Sequence, residues 1–572
     1  MTRWIYTFHP EPQAIESLRT SLGVDNIIAT LLLQRGLSSF EEAKAFFRPS
    51  LEQLHSPFLM KGMEAAIERI QTALELDQRI MVYGDYDVDG TTAVALVFQF
   101  LSKLTQNIEY YIPDRYGEGY GISFKGIDVA QANKVDLIIA LDCGIRSVDK
   151  VDYATQKGID FIICDHHLPG PQIPGAVAVL DPKQDDCGYP FKELSGCGIG
   201  FKVCQALCER LGISQKEVYQ YLDLLAVSIG ADIVPIVGEN RILAYFGLEK
   251  INSDPGIGIR TILKYNKIKR KLNITDVVFI IAPRINAAGR IDHGSNAVKL
   301  MISPDELSAE SFNQIIHYNN IERKNLDSNI TQEALELIRS DEQLRHAKST
   351  VVFSESWHKG VVGIVASRLI EKYYRPTIVL TESNGMATGS ARSVKDFDVH
   401  EAIHACSDLL EQFGGHKYAA GLTLKLENVA SFRTKFEEVV SATISDEMLI
   451  PRQEIDLEIN LEDITPKLLR ILNQLGPFGP GNMQPVFVTK GVVERGQARI
   501  VGENHLKLDV LEHAKAEVYF PAIFFKGGEI LPDIQAGKPF DIAYCIEENE
   551  YNGNVTLQLN VKDIQLGNEV YG

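Results

Sequence analysis

The residues whose types could carry chemistry fall into four short stretches. They are Asp85 and Asp87 in Val-Tyr-Gly-Asp-Tyr-Asp-Val-Asp-Gly (82–90), Asp142 in Ala-Leu-Asp-Cys-Gly (140–144), Asp165, His166 and His167 in Cys-Asp-His-His (164–167), and Asp232 in Ile-Gly-Ala-Asp (229–232). A single aspartate after an apolar run means little, because aspartate commonly caps the helix that follows. Several such runs that end in carboxylates, one of them adding two imidazoles, are hard to explain as packing. Carboxylate oxygens suit magnesium and manganese, and an imidazole shifts the preference toward manganese. Two such ions roughly 3.5–4 Å apart can activate a water and steady charge on a phosphoryl oxygen, so the chemistry implied is phosphoester hydrolysis. Asp142 is the candidate to bridge two ions. His167 is a candidate general acid for the leaving oxygen, or a residue that orients the rest of the site.

These side chains converge only if the intervening chain forms an open parallel sheet. Apolar strand signals at 80–84, 109–113, 137–141, 161–164 and 176–180 alternate with helical patterns at 91–104, 127–133 and 147–157, and further helices are expected at 199–212 and 215–230. That alternation predicts an α/β domain with helices on both faces of a parallel sheet. Ligands of such sheets bind outside the carboxyl ends of the strands, where Asp85, Asp87, Asp142, Asp165 and His166 all stand.

Around this domain, at 76–303, the chain divides by pattern. Residues 1–75 read as a helical lead-in. A long, mostly polar helix is expected over 304–345, with Ser303 and Pro304 at its start and a narrow apolar stripe that includes Leu307, Ile315, Ile316, Ile321 and Ile330; so little apolar surface suits a helix that bridges two domains. A second α/β unit follows at 346–445. The tail, 446–572, carries strand signals and a hairpin signature at Tyr551-Asn552-Gly553-Asn554, and reads as a small β-barrel of the OB type.

Bulk properties are those of a globular protein: 45% apolar and 23% charged over 572 residues. No apolar run reaches the length of a membrane span, and the first residues lack the apolar core of a signal peptide, so a cytoplasmic protein is expected; a monomer is expected as well. The eight cysteines form no regular framework and read as buried reduced thiols; Cys204 and Cys208, one helical turn apart, lack the second pair that a zinc site needs. The net charge of −19 is unusual for a nucleic-acid partner. Bound cations would offset part of it, and residues 260–271 hold six basic residues and no acid. A solvated helix end is the plainer reading of that run.

The stretches at 85–90, 165–167 and 228–235 resemble the motifs of the DHH phosphoesterase superfamily. Pro-Arg-Ile-Asn-Ala-Ala-Gly-Arg (283–290), Gly-Gly-His-Lys-Tyr-Ala-Ala-Gly (414–421) and Leu-Gly-Pro-Phe-Gly-Pro-Gly-Asn (475–482) extend the likeness over nearly the whole chain, nearest to the superfamily's bacterial single-strand exonucleases. The resemblance implies a DHH domain, a DHH-associated domain and an OB-like barrel. It implies two Mn2+ or Mg2+ ions on Asp85, Asp87, Asp142, His166 and Asp232, with Asp165 orienting its neighbours and Asp89 capping the helix near residue 90. One departure stands out: Tyr83 occupies a place where many members carry a histidine. The resemblance further implies that Arg115, Ser390 and Arg392 hold a 5′ phosphate. Arg284, Asn286, Arg290, His358, Arg368 and His416 would follow the strand backbone, and Gly414 and Gly415 would admit a phosphate closely. The activity implied is 5′→3′ hydrolysis of single-stranded DNA to mononucleotides in recombination and repair, beside a helicase and single-strand-binding protein.

Three other readings fit the sequence less well. A phosphodiesterase for short oligonucleotides or cyclic dinucleotides leaves the barrel without a use. A non-catalytic relative would not keep five intact candidate ligands, and a pyrophosphatase has no role for the tail.

Overall fold

The computed structural model describes residues 2–551 and 554–567. The chain forms two compact units: one from Leu54–Ile450, the other from Met1–Gln53 together with Pro451–Gly572.

The larger unit is built on a five-stranded, all-parallel sheet in the order Ile108–Tyr111, Ile80–Gly84, Leu137–Leu141, Asp160–Cys164, Ala178–Leu180. The central strands are buried along their length and rich in isoleucine, leucine and valine, as parallel strands covered on both faces must be. Met81, Tyr83, Ile138, Ala140, Phe161 and Ile163 point to one face, against Ile127 and Ala130 of the helix Phe124–Ala132 and Val151 and Ala154 of Val148–Gln156. The other face is covered by the almost wholly buried helices Val88–Leu101 and Gly196–Leu211. The register matters most: Gly84 pairs with Leu141, Leu141 with Cys164, and Cys164 with Leu180. Four neighbouring strands therefore end level, and the next residue in each is an aspartate: Asp85, Asp142, Asp165 and Asp181.

The bridging helix runs Glu306–Ser340, about 50 Å at 1.5 Å per residue. Asp305, not Ser303, caps it, accepting the Ser308 N–H at 2.8 Å. The expected apolar stripe is also corrected. Leu307, Ile315 and Ile321 are exposed, while Asn313, Asn320, Arg323 and Asp327 are buried among Ile316 and Ile330. Beyond it lies a second five-stranded sheet, in the order Gln412–His416, Ala419–Lys425, Met386–Arg392, Thr377–Ser383, Thr350–Ser354, parallel only between the last two. The basic run at 260–271 is not a free patch, because Arg260 pairs with Asp254, Lys264 with Glu306 and Glu310, and Arg270 with Asp276.

The smaller unit revises the N-terminal lead-in. Helices Pro12–Leu22, Asn26–Gln34 and Phe40–Phe47 belong with the tail, whereas Met63–Glu75 belongs to the larger unit. The tail is a seven-stranded sheet whose five central strands close into a barrel, because Phe487–Glu494 pairs with both Phe540–Tyr551 and His505–Leu511. Phe540–Tyr551 and Asn554–Leu566 form the expected hairpin; its turn residues Asn552 and Gly553 lie outside the described residues. Ile28, Leu31 and Leu32 share one buried core with Leu468, Phe487, Phe540, Tyr544 and Leu559. The strand Arg3–Tyr6 pairs in parallel with Arg452–Ile455. The 475–482 motif is a closed loop here: Asn482 Nδ2 donates to the Leu475 and Pro477 carbonyls, and its Oδ1 accepts from Arg35 Nε.

Because Ile28 is fully buried in that shared core, Ile28→Ala is expected to cost about 2–4 kcal/mol. Hydrogen exchange should accelerate throughout the strands of 487–566. Acceleration confined to residues 12–34 would contradict the shared core.

Candidate metal and phosphate site

At the level strand ends, side chains crowd around His166. Its Nε2 lies 3.2 Å from Asp142 Oδ1, 3.5 Å from Asp232 Oδ2 and 3.8 Å from Asp89 Oδ2. Asp85 and Asp142 are buried, and Asp87 and Asp232 half-buried. Burial first, then the neighbouring Asp87, pushes Asp85 well above the usual carboxylate range. Burial, then Asp89, Asp87 and Asp232, does the same to Asp142. Asp87 is raised by burial and by Asp89, and burial with Asp89 and Asp87 lifts Asp232 to about 8. Burial pushes His166 the other way, toward the neutral imidazole.

The backbone enforces this crowding. Asp142 sits in the left-handed region at φ +60°, which turns it out of its strand. Gly196, first in its helix, abuts it so closely that a Cβ there would lie 2.5 Å from the Asp142 Cβ, so only glycine fits. The capping expected of Asp89 falls to Asp87, which accepts the Gly90 N–H at 3.0 Å at the start of Val88–Leu101. Asp89 instead crosses to the other helix, accepting the Gly196 and Cys197 N–H groups at 2.7 and 2.8 Å and the Ser228 hydroxyl at 2.6 Å. Asp165 is equally occupied by the N–H groups of Ile145, His166 and His167 and by His167 Nδ1 at 2.7 Å. Burial raises it, but His167, the Ile145 N–H and His166 together outweigh this and hold it at about 2. Burial lowers His167, yet Asp165, with Asp232 and Asp87, outweighs it and lifts His167 to about 9. Tyr120, not singled out by the sequence, sets its hydroxyl 3.4 Å from His167 Nε2 and 3.5 Å from the Asp142 carbonyl.

A metal fits this donor set. Asp85 Oδ2, both oxygens of Asp142 and both nitrogens of His166 are buried with no hydrogen-bond partner, which is costly unless something else takes their lone pairs. Ligand atoms of Asp142, His166 and His167, and of Asp89, His166 and Asp232, lie within 4.8 Å of one another. Tyr83 contributes nothing to such a set. Its buried hydroxyl donates to the Gly121 carbonyl at 3.0 Å and accepts the Ser123 N–H at 3.1 Å. It thereby fixes Gly121, whose N–H binds Asp85 Oδ1 at 3.1 Å.

Three of the expected arginines gather in a second group. Arg392 Nη1 donates to Ser390 Oγ at 2.7 Å, beside the start of the helix Val362–Lys372, where a Cβ on Gly363 would lie 3.1 Å from both residues. Arg115 stacks on Tyr86 at 4.7 Å. Arg290 donates to the Gly360 carbonyl at 3.0 Å, and the Gly360 N–H reaches His358 Nδ1. Burial, then repulsion from Arg115 and Arg392, pushes Arg290 down to about 9. His416 is lowered by burial and then by Arg392. Arg284 and Arg368 are not part of this group. Arg284 donates to the Ile280 carbonyl and Asn266, and Arg368 pairs with Asp327 at 3.7 Å. With Arg323 and Lys324 of the bridging helix, Arg368 and Asp327 line an open cavity of about 410 Å³. Arg323 and Lys324 escaped the sequence reading because two cations in a polar helix look like a solvated face. Asn286 Oδ1 is buried and unpartnered. Gly414 faces open space. Gly415, at φ +142°, is required by its hairpin, where a Cβ would lie 2.4 Å from the Ala419 carbonyl.

Comparison with known proteins settles the family. The chain is 38% identical over 560 residues, 97% of its length and 70% of the relative's, to the single-stranded-DNA-specific exonuclease RecJ of Bacillus subtilis. It is 32% identical to that of Escherichia coli, covering 94% of this chain and 95% of the relative. The chain belongs to the RecJ family. Its segments match the models of the DHH family N-terminal domain (79–229), the DHHA1 domain (346–442) and the RecJ OB domain (455–563). Its fold is that of RecJ from Thermus thermophilus solved in complex with Mn2+: TM-score 0.85, 27% identity, 99% of this chain and 80% of that one. A manganese-bound exonuclease RecJ aligns over 69% of this chain and 97% of its own, with TM-score 0.60 and 32% identity. Among the described residues, no helix is long and apolar enough to cross a membrane.

Removing one charge from the crowded cluster should therefore stabilise the metal-free RecJ fold. Asparagine keeps the shape of Asp142 and tolerates φ +60°. In chelator at pH 8, Asp142→Asn is expected to raise the melting temperature by a few degrees, on the order of 1 kcal/mol, and to lose most of the Mn2+-induced rise of the wild type. A lowered melting temperature with the full Mn2+ response would contradict this account.

Proposed function

We propose that the protein is a 5′→3′ exonuclease that hydrolyses single-stranded DNA to 5′-mononucleotides. The observation that carries this reading is the pairing of two sites in one unit: buried, unpartnered carboxylates and imidazole at the sheet ends, and a group of Arg115, Arg290 and Arg392 in which burial and then the other two cations depress Arg290. Asp85, Asp87, Asp142, His166 and Asp232 would hold two Mn2+ or Mg2+ ions. Bound there, the ions supply an activated water and charge neutralisation on the phosphoryl oxygens. The arginine group with Ser390 suits a terminal phosphate, since guanidinium forks match phosphate oxygens. Held there, the first nucleotide would present the next phosphodiester to the carboxylate cluster. Water adds to phosphorus, the bond to the first nucleotide's 3′ oxygen breaks, and the shortened strand keeps a new 5′ phosphate. His167, kept protonated by Asp165 and with Nε2 free of that contact, is positioned to give the departing oxygen its proton. Arg323, Lys324 and Arg368, with Arg284 and Asn286, would follow the backbone further along the strand.

This activity suits strand ends that a helicase exposes and single-strand-binding protein coats, with the chain working as a monomer in the cytoplasm. The domain division we favour is a catalytic segment at 76–303, the bridging helix, a substrate-binding segment at 346–445 and a DNA-binding barrel at 446–572 joined by the N-terminal helices.

With Mn2+, end-labelled single strands bearing a 5′ phosphate should release mononucleotides from the 5′ end, while blunt duplex, cyclic dinucleotide and pyrophosphate stay intact. Equal attack on blunt duplex would sink the reading. Arg392→Ala should raise KM about tenfold or more for 5′-phosphorylated strands, the worth of a charged hydrogen bond, and leave 5′-hydroxyl strands nearly unchanged. An equal effect on both would remove Arg392 from the phosphate site.

A further inference from the structure

The four aspartates at the level strand ends differ in what they hold. Asp85 and Asp142 keep oxygens without partners in the cluster, and Asp165 is saturated by donors. Asp181, after the outermost strand, is wholly buried; its Oδ1 accepts the Lys183 N–H at 2.7 Å, and its buried Oδ2 has no partner. On the neighbouring strand end, His166 turns Nε2 toward Asp142, Asp232 and Asp89. Its Nδ1, across the ring, is also buried without a partner. The register sets Asp181 beside Asp165, the residue before His166: Cys164 pairs with Leu180, and the Leu180 carbonyl accepts the Asp165 N–H at 3.0 Å. An unmade hydrogen bond at a buried donor or acceptor costs about 1–3 kcal/mol, and here a ring nitrogen and a carboxylate oxygen lack partners at adjacent strand ends.

We propose that Asp181 fixes the imidazole of His166 through one bridging water. Burial lifts Asp181 to about 7, and above that pH the ionised carboxylate only accepts, so the water donates to Asp181 and accepts from the ring, which places the imidazole proton on Nδ1 and leaves the Nε2 lone pair facing Asp142 and Asp232. Outer partners of this kind hold metal-ligating histidines in tautomer and orientation. Asp181 is thus a positioning residue, and its bearing on metal affinity rests on His166 being a ligand as proposed above.

The test uses the full chain with Asp181→Asn, which keeps the Lys183 contact but can present a donor where the carboxylate accepts. In metal-free protein labelled with 15N-histidine, the His166 signal, identified by its loss in His166→Ala, should report the Nδ1–H tautomer in the wild type and shift away from it in Asp181→Asn. Calorimetric Mn2+ affinity should fall about 10- to 100-fold in Asp181→Asn, with a melting curve like the wild type's. A wild-type tautomer in Asp181→Asn, or an affinity within twofold of wild type, overturns the assignment. If the wild-type chain itself binds no Mn2+, the metal reading falls instead, and the tautomer alone decides the role of Asp181.

Discussion

Everything else in the larger unit depends on holding like charges together at the end of a dry sheet. Hydrogen-bond register makes four strands finish level, and each hands an aspartate to the same layer. Left alone, such a layer would neutralise or splay apart, because a low-dielectric interior penalises unpaired charge. The surrounding structure opposes both. A left-handed backbone at Asp142 and a glycine at 196 leave the carboxylate no room to retreat, and a helix start binds Asp89. The buried hydroxyl of Tyr83 steadies the loop behind Asp85. This arrangement gives up stability in the empty protein for a fixed set of lone pairs, a trade typical of sites built to act on charge.

The arginine group is the mirror image. Arg290 is pressed by Arg115 and Arg392 as the aspartates are pressed by one another, and each group answers to a ligand of opposite sign. Under the proposed function one set of charges takes cations and the other an anion, and a phosphate ester bound to metal satisfies both. The bridging helix follows the same principle: it buries asparagine, arginine and aspartate where a packing helix would bury leucine.

Much of this was legible in the sequence, for identifiable reasons. Continuous apolar runs ending in Asp or Asp-His-His marked the parallel strands and their functional ends, because period and termination survive without tertiary context. Roles that depend on which neighbour arrives were not legible. Asp87 and Asp89 are two residues apart and both precede a helix, yet only the position of Gly196 and Ser228 decides that Asp87 caps and Asp89 reaches across. Asp181 was not singled out by the sequence, and its level with Asp142 follows only from register. Arg323 and Lys324 were not singled out, and the exposed Leu307, Ile315 and Ile321 read as the packing stripe, because a helix of low amphipathicity does not disclose which side is covered. The N-terminal helices gave no sign that their core partners lay at the far end of the chain.

That last arrangement bears on how the molecule is made. The strand at Arg3–Tyr6 finds its partner at Arg452–Ile455, so it leaves the ribosome about 20–90 s before that partner at ordinary elongation rates of roughly 5–20 residues per second. During that interval the nascent helices at 12–47 expose Ile28, Leu31 and Leu32 with nothing to cover them, while the segment from 54 onward has all its own partners to hand and can fold. The catalytic part is in this sense an insertion within the barrel unit. The chain's vulnerable period in the cell falls on its first fifty residues, which makes them natural clients for a chaperone.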